Sequence, residues 1–488
     1  MLAFGLVLIP WIGLGLFLLP KGWVKAGAVV LAGVEVLLFA RALLAPMPSS
    51  LAVVNWNWIP SLGVHFHLSL DGLALFLVGL ASVVTLAAVL ASPNKQGPAY
   101  YFWILLAEST AIGVFTALDL VAFYVFWEVV LVPVFFLLGG WAAGPARRTA
   151  LKWLIMNLFG SLFMLIGVVA MGVVHAQETG HLTFQLASLA HTTLVPQVAP
   201  WVFLSFLVAF IIKAPLWPLH GWMPPAYSDA PAPVTAVISG VLSKLGVFAM
   251  VRVLVPLFHA EMAQAEPWLM ALAAVGLVYG AELALRQKDV KMVAAYGSLS
   301  HMAMMALGIF TLTQAGLVGA TFYMVAHGVM LGGLFLLLGW YEERTGSRAL
   351  TMLGGLNQSV PKLTAWFQIF ALATLGLPGL AGFAGEYMIF QGLIQNNITV
   401  AAVAGVILVL AAWYMLRLFQ GAMQGPRATG RSPADLTTAQ VGLIGALGLL
   451  VVVLGIWPAG VTSHLPVLAP PATHALAHAS HRKGGEPA

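Results

Sequence analysis

The chain is written in long apolar runs separated by short polar punctuation. Runs bounded by Gly, Pro or charged residues occupy 2–19, 22–44, 68–91, 99–118, 119–140, 150–173, 200–227, 231–256, 267–285, 292–312, 315–340, 361–396, 399–420 and 438–458. A helical bilayer crossing needs about 20 apolar residues. The pattern therefore predicts an all-α polytopic membrane protein with about 14 transmembrane helices. Two runs are too long and too interrupted for one straight helix. The seventh breaks at Lys213-Ala-Pro-Leu-Trp-Pro218 and the twelfth at Gly376-Leu-Pro-Gly-Leu-Ala-Gly382. They are an odd number of crossings apart, so they run in opposite directions. Paired broken helices in two halves point to inverted repeats, with an ion site at the breaks. The expected repeats are helices 4–8 and 9–13. They divide the chain into 1–98 (three helices), 99–256 and 257–420 (the two five-helix repeats), and 421–488 (the last helix and an outer tail).

Charge supports this count. With the N-terminus outside, the loops and helix ends on the inner side carry Lys21, Lys25, Lys95, Arg147, Arg148, Lys152, Arg286, Lys288, Lys291, Arg344, Arg348, Lys362, Arg417, Arg427 and Arg431. The outer side receives Arg41, Arg252, Arg482 and Lys483. A wrong helix count would scramble this segregation. Both termini are expected outside, with the first helix retained, because no basic residue precedes it as a cleaved signal requires. Arg41 and Arg252 near helix ends are expected to snorkel.

Composition excludes several functions. Charged residues are 8% and hydrophobic ones 61% of the chain, against about 25% charged in soluble domains. Basic residues spread over loops leave no nucleic-acid footprint. The absence of cysteine removes thiolate clusters and iron–sulfur ligation. No nucleotide-binding motif stands in a soluble βα setting. No cofactor or metal is expected, and the energy must come from an ion gradient or a partner subunit.

An ionisable side chain at the centre of a spanning helix costs at least about 2.5–3.5 kcal/mol and is a functional hypothesis by default. Those near mid-depth are Glu35, Glu108, Glu128, Lys213, Lys244, His301, His327 and Glu386. Glu128 and Lys213 could form a structural pin, but buried pairs recover little of their desolvation cost. Lys213 and Lys244, in adjacent helices, cannot both be cheaply charged, so at least one is suited to exchange a proton. His301 and His327 lie halfway along consecutive antiparallel helices. Such a pair could ligate haem, but a single pair with no second-site pattern fits a proton relay better. His220 follows the first break and is an accessory candidate. So are Glu35 and Glu108, which face a neighbouring subunit or pair locally. His65, His67, His474, His478 and His481 fall in outer loops or the tail and are assigned no role. In helix order Glu128, Lys213, Lys244, His301 with His327, and Glu386 have the composition of a hydrated proton path.

Three stretches carry a family resemblance: "FYVFWEVVLVPVFFLLGGW" (123–141), "FIIKAPLWPLHGWMPPAYSDAPAPVTAVISGVLSKLG" (210–246) and "KMVAAYGSLSHMAM" (291–304). They resemble the antiporter-like membrane subunits of respiratory complex I and of multisubunit cation/proton antiporters, over roughly residues 68–420. The resemblance is to the complex I branch whose second broken helix ends in an acid. Glu386 stands where the sister chains L and N carry lysine, and the chain has no room for the lateral helix of chain L. It implies a subunit that translocates a proton, driven by quinone reduction elsewhere in the assembly. Glu128 and Lys213 would be the modulating ion pair, Lys244 the central lysine, His301 and His327 the relay, and Glu386 the exit acid. Electron transfer would take place in other chains. The implied partners are the other membrane-arm subunits, the sister chains L and N foremost, in a bacterial inner membrane. The alternative is a subunit of a cation/proton antiporter or of a membrane-bound hydrogenase.

Overall fold

The computed structural model describes residues 2–44, 53–350, 355–425 and 433–465. Arg427 and Arg431, and the outer tail with His474, His478, His481, Arg482 and Lys483, lie outside the described residues. Every expected apolar run carries a helix or a broken pair: α1 Leu2–Leu18, α2 Lys21–Leu44, α3 Gly72–Ala91, α4 Pro98–Thr116, α5 Leu120–Trp141, α6 Ala146–Thr179, α7a Ala199–Lys213 and α7b Met223–Asp229. They continue with α8 Ala232–Leu257, α9 His259–Arg286, α10 Val290–Phe310, α11 Gln314–Thr345, α12a Pro361–Thr374, α12b Ala381–Asn396, α13 Ile398–Met423 and α14 Thr438–Ile456. Eleven of these are long and apolar enough to cross a membrane.

The third run begins later than its apolar pattern suggested. Residues 68–71 belong to the end of a strand and to a cap. Val53–Ile59 (β1) and Val64–Ser69 (β2) pair antiparallel, with Trp56 opposite Phe66, and α3 then starts behind Asp71, whose carboxylate accepts from the Ala74 N–H. The hairpin packs against the junction of α4 and α5. It is pinned there by the Leu118 N–H donating to the His67 carbonyl at 2.8 Å and the His65 N–H to Asp119 at 3.0 Å.

Helices α8, α10 and α11 are enclosed by the others, whereas α2, α6, α13 and α14 keep apolar outer faces. On α6, Ile155, Phe159, Leu162 and Ile166 form an exposed stripe at helical spacing, as a lipid- or partner-facing surface requires. Arg252 does not snorkel. It grips Asp71 in a bidentate pair, at 2.5 and 2.7 Å, over the Phe248 ring. The C-terminal end of α8 is thereby tied to the start of α3. Burial pushes the Asp71 carboxyl up, but the Arg252 guanidinium outweighs it and holds the group below its ordinary value. A depressed folded-state value means the pair stabilises at neutral pH, and that this is lost as pH falls through it. Asp71 is 37% exposed, so screening limits the pair to the order of 1 kcal/mol. Asp71→Asn and Arg252→Gln should each lower thermal stability by a similar small amount, and the double variant by no more than either. Additive losses in a melting experiment would show that the two act independently.

Candidate functional site

The first break follows from Pro215 and Pro218, which cannot donate to a helical ladder. The chain repairs most of the damage itself. Leu216 N–H donates to the Ile211 carbonyl at 3.0 Å, and the Trp222 indole returns to donate to the Ile212 carbonyl at 2.8 Å. Lys213 Nζ, which is buried, is left without a hydrogen-bond partner. It lies over the rings of Trp127 and Trp153, at 5.1 and 5.6 Å from their centroids. Trp127 precedes Glu128, so the two expected partners are neighbours. They do not meet as a hydrogen-bonded ion pair in this conformation. Glu128 is only half-buried, and one of its oxygens is enclosed without a partner.

Lys244 is reached from Lys213 through backbone packing. A methyl on Gly246 would come within 2.6 Å of the Phe210 carbonyl and overlap the Ala214 amide, so only glycine lets α8 lie against the end of α7a. Around Lys244 the helix is not regular. Ile238–Leu242 and Met250–Leu254 are π turns. In the first, Ser243 N–H reaches back to Ile238 and leaves the Ser239 carbonyl free of its usual partner. That carbonyl accepts from Lys244 Nζ and from Ser243 Oγ, and Ser243 Oγ also takes the ammonium at 3.1 Å. Irregular helix inside a packed bundle can present carbonyls in this way. No carboxylate pairs with Lys244 among the described residues.

α8 packs on both histidine helices. The contact with α11 is close at Gly240 and Gly328, where a methyl on the first would meet the second's carbonyl at 3.0 Å. Gly328 follows His327, so this crossing sets the imidazole beside the π turn. His301 and His327 stand edge to face, ring centroids 5.4 Å apart, with the Tyr323 ring 5.9 Å from each. A phenol thus occupies the space beside the pair. Tyr414 of α13 meets His301 Nε2 at 3.1 Å, while both His327 nitrogens lack a protein partner.

Tyr323 also donates its hydroxyl to Glu386 Oε1 at 2.8 Å. The second break holds this acid from behind. Gly376 adopts φ +80° and Gly379 φ +90°, a region closed to ordinary side chains, and the Glu386 carboxylate lies directly on Gly376. The break is shorter than its Gly-rich sequence suggested. α12b resumes at Ala381, so Gly382 is helical and packs on the Ala373 carbonyl.

Lys213, Lys244, His301, His327 and Glu386 are therefore all buried along one succession of packed helices. His220 sits in the first break against Tyr279 of α9, ring centroids 5.2 Å apart, with Nδ1 unpartnered. Glu35 and Glu108 are not in this succession; they lie in α2 and α4. Sequence reasoning missed Tyr323, Tyr414, Ser239 and Ser243. Tyr323 stands four residues before His327 on the same helix face, a signal that was there to be read. Tyr414 comes from a distant helix and has no local signal. Among the described residues no group of three or more His, Asp or Glu is placed to hold a metal.

These features define a class: polytopic helical membrane proteins whose helices enclose a row of buried acids, lysines and imidazoles. The sequence profile described as NADH:quinone oxidoreductase/Mrp antiporter, TM, matches residues 117–411. The chain is 33% identical to NADH-quinone oxidoreductase subunit M of Rickettsia typhi over 85% of each chain. It is 36% identical to the same-named subunit of Mycobacterium tuberculosis over 83% of this chain and 80% of that one. The chain belongs to the NADH:quinone oxidoreductase/Mrp antiporter family of membrane subunits. A chain of respiratory complex I from Thermus thermophilus has the same fold, with a TM-score of 0.88 at 34% identity, covering 95% of this chain and 98% of that one. A chain of the Mrp complex from Dietzia sp. shares the fold at a TM-score of 0.84 and 22% identity, covering 98% of each.

Proposed function

We propose that this chain is a proton-translocating membrane-arm subunit of NADH:quinone oxidoreductase, of the subunit M type. The observation that carries the reading is the buried succession from Lys213 through Lys244 and the two histidines to Glu386. Its members share packed helices, and several have no protein partner other than one another or a neighbouring hydroxyl. Burying them is costly, which argues for a task that needs titratable groups there. The identity of 33% and 36% to relatives named NADH-quinone oxidoreductase subunit M, over most of each chain, supports the assignment to complex I. In this reading both termini lie outside a bacterial inner membrane, and the sister chains L and N flank the subunit. Helices α4–α8 and α9–α13 are inverted repeats with α7 and α12 as counterparts, between the three N-terminal helices and α14. Redox chemistry belongs to other subunits, and no cofactor is assigned to this one.

Each residue then has a task. Glu128, half-buried beside Trp127, modulates Lys213 by moving its charge toward or away from the ammonium. When the acid moves away, the ammonium loses its counter-charge and its proton passes to Lys244. The freed Ser239 carbonyl and the Ser243 hydroxyl stabilise the proton there. His327 and His301 hand it on, Tyr323 bridges to the exit acid, and Glu386 releases it on the outer side. His220 lines the inner approach at the break.

The test is substitution at Glu128 in the assembled complex, reconstituted in sodium-free vesicles with NADH as the driver. Glu128→Asp keeps the charge and should retain most translocation. Glu128→Gln removes it and should lose roughly tenfold in coupled turnover. Equal turnover in all three forms would make the residue structural. Translocation that requires sodium would favour the cation/proton antiporter reading instead.

A further inference from the structure

Away from the row, α2, α3 and α4 enclose a second polar island. Glu35 and Glu108 are both fully buried, at 0% exposure. None of their four carboxylate oxygens has a hydrogen-bond partner in the chain. The two helices pack against each other and run in the same direction, as helices separated by an even number of crossings must. Counting from Val24 and Pro98 at 1.5 Å per residue, both acids lie about 15–17 Å along their helices. Antiparallel α3 confirms that they share a level. The Phe39 ring, one turn outward of Glu35, sits directly on Gly79, and Ser82 lies one turn inward of Gly79. Ser82 is therefore level with Glu35; its hydroxyl donates to the Val78 carbonyl at 3.1 Å, which leaves its oxygen free to accept from a protonated carboxyl. Thr85, on the same face of α3, has a fully buried hydroxyl with no partner.

A charged carboxylate without a partner is expensive in apolar surroundings, and two side by side cannot both ionise. One proton resolves both problems, because it turns one acid into a donor and the other into its acceptor. We infer that Glu35 and Glu108 form a single proton-holding site, one proton shared between two carboxyl groups, with Ser82 and Thr85 as supporting hydroxyls. The site stands apart from the succession of α7, α8, α10, α11 and α12 and does not depend on the roles proposed there. The elements packed against α2, α3 and α4 bring three titratable groups to this depth, Glu128 on α5, Lys244 on α8 and His327 on α11, whose neighbour Gly328 lies against Leu80 of α3; Lys25, Arg41, Asp71 and Asp119 sit at the membrane edges. α4 touches α8 through Phe115 and Phe248, ring centroids 5.1 Å apart.

Infrared difference spectroscopy on the assembled complex, in water and heavy water, tests this. Subtracting the spectrum of the Glu35→Gln/Glu108→Gln double variant from wild type should reveal one protonated carboxyl band and one carboxylate band. Each single Gln variant should shift the protonated band, because its partner has become an amide. Loss of two protonated bands, or of none, would overturn the shared proton. Unshifted bands in the single variants would show that the acids do not meet. A protonated band that appears only after sodium is replaced by choline would mean the site holds Na⁺ instead. If the Gln variants fail to assemble, Glu35→Asp and Glu108→Asp keep the acid and should retain a displaced band; retention of an undisplaced one would also overturn the site.

Discussion

Replacing Lys244 by methionine is expected to abolish proton translocation while leaving the subunit inserted and the complex assembled. Methionine matches the length of the lysine stem and has no titratable head. Removing a buried ammonium relieves about 2.5–3.5 kcal/mol of burial cost, against two hydrogen bonds lost to Ser239 and Ser243. Stability should therefore be unchanged or higher. Translocation should fall by two orders of magnitude or more, because the row then has no proton acceptor between Lys213 and the histidines. Lys244→Arg separates charge from chemistry. It keeps a cation in α8, but arginine does not give up its proton in proteins, so it should fail as a relay even where it assembles. The measurement is the number of protons moved per NADH oxidised in reconstituted vesicles. A methionine variant with the wild-type ratio would remove Lys244 from the path.

The second large effect is expected at Glu386. Glu386→Ala deletes the exit acid and leaves the Tyr323 hydroxyl buried without its acceptor, at a cost of about 1–3 kcal/mol. Glu386→Gln restores an acceptor for that hydroxyl but cannot titrate. Glu386→Lys restores a titratable group of the kind the sister chains are expected to carry. Proton-to-electron ratios should therefore rank glutamate above lysine, with glutamine and alanine at the bottom, while thermal stability should place glutamine, which still accepts from Tyr323, above alanine. The contrast between the two rankings is the decisive observation. If glutamine pumps like wild type, Glu386 is a hydrogen-bond acceptor for Tyr323 and nothing more. Tyr323→Phe, which keeps the ring beside the histidines and removes the hydroxyl, should slow translocation without abolishing it.

The sequence by itself determined where the helices are and which side chains pay to be buried. Both are local properties. An apolar run of spanning length has no stable alternative to a helix in lipid, because every backbone group must be satisfied within the segment. Lys244 or Glu386 inside such a run is conspicuous whatever surrounds it. The breaks were legible for the same reason, since Pro215, Pro218 and Pro378 remove donors wherever the chain goes. The β1–β2 hairpin was also legible in principle, in the alternation of "VVNWNWI" and "VHFHLS", but the search for long apolar runs passed over it. Arg252 looked like a snorkelling helix end because its partner Asp71 lies 181 residues away, and no local pattern announces such a pair. Only the tertiary structure decided which carbonyl Lys244 would use. The π turn at Ile238–Leu242 arises from how α8 is packed between α3, α11 and the end of α7a, and composition does not encode it. The same holds for Tyr323 beside the two imidazoles, for Tyr414 reaching His301 from α13, and for the placement of Glu35 and Glu108 away from the row. Each depends on how the helices pack, which glycines at their crossings permit by letting backbones approach.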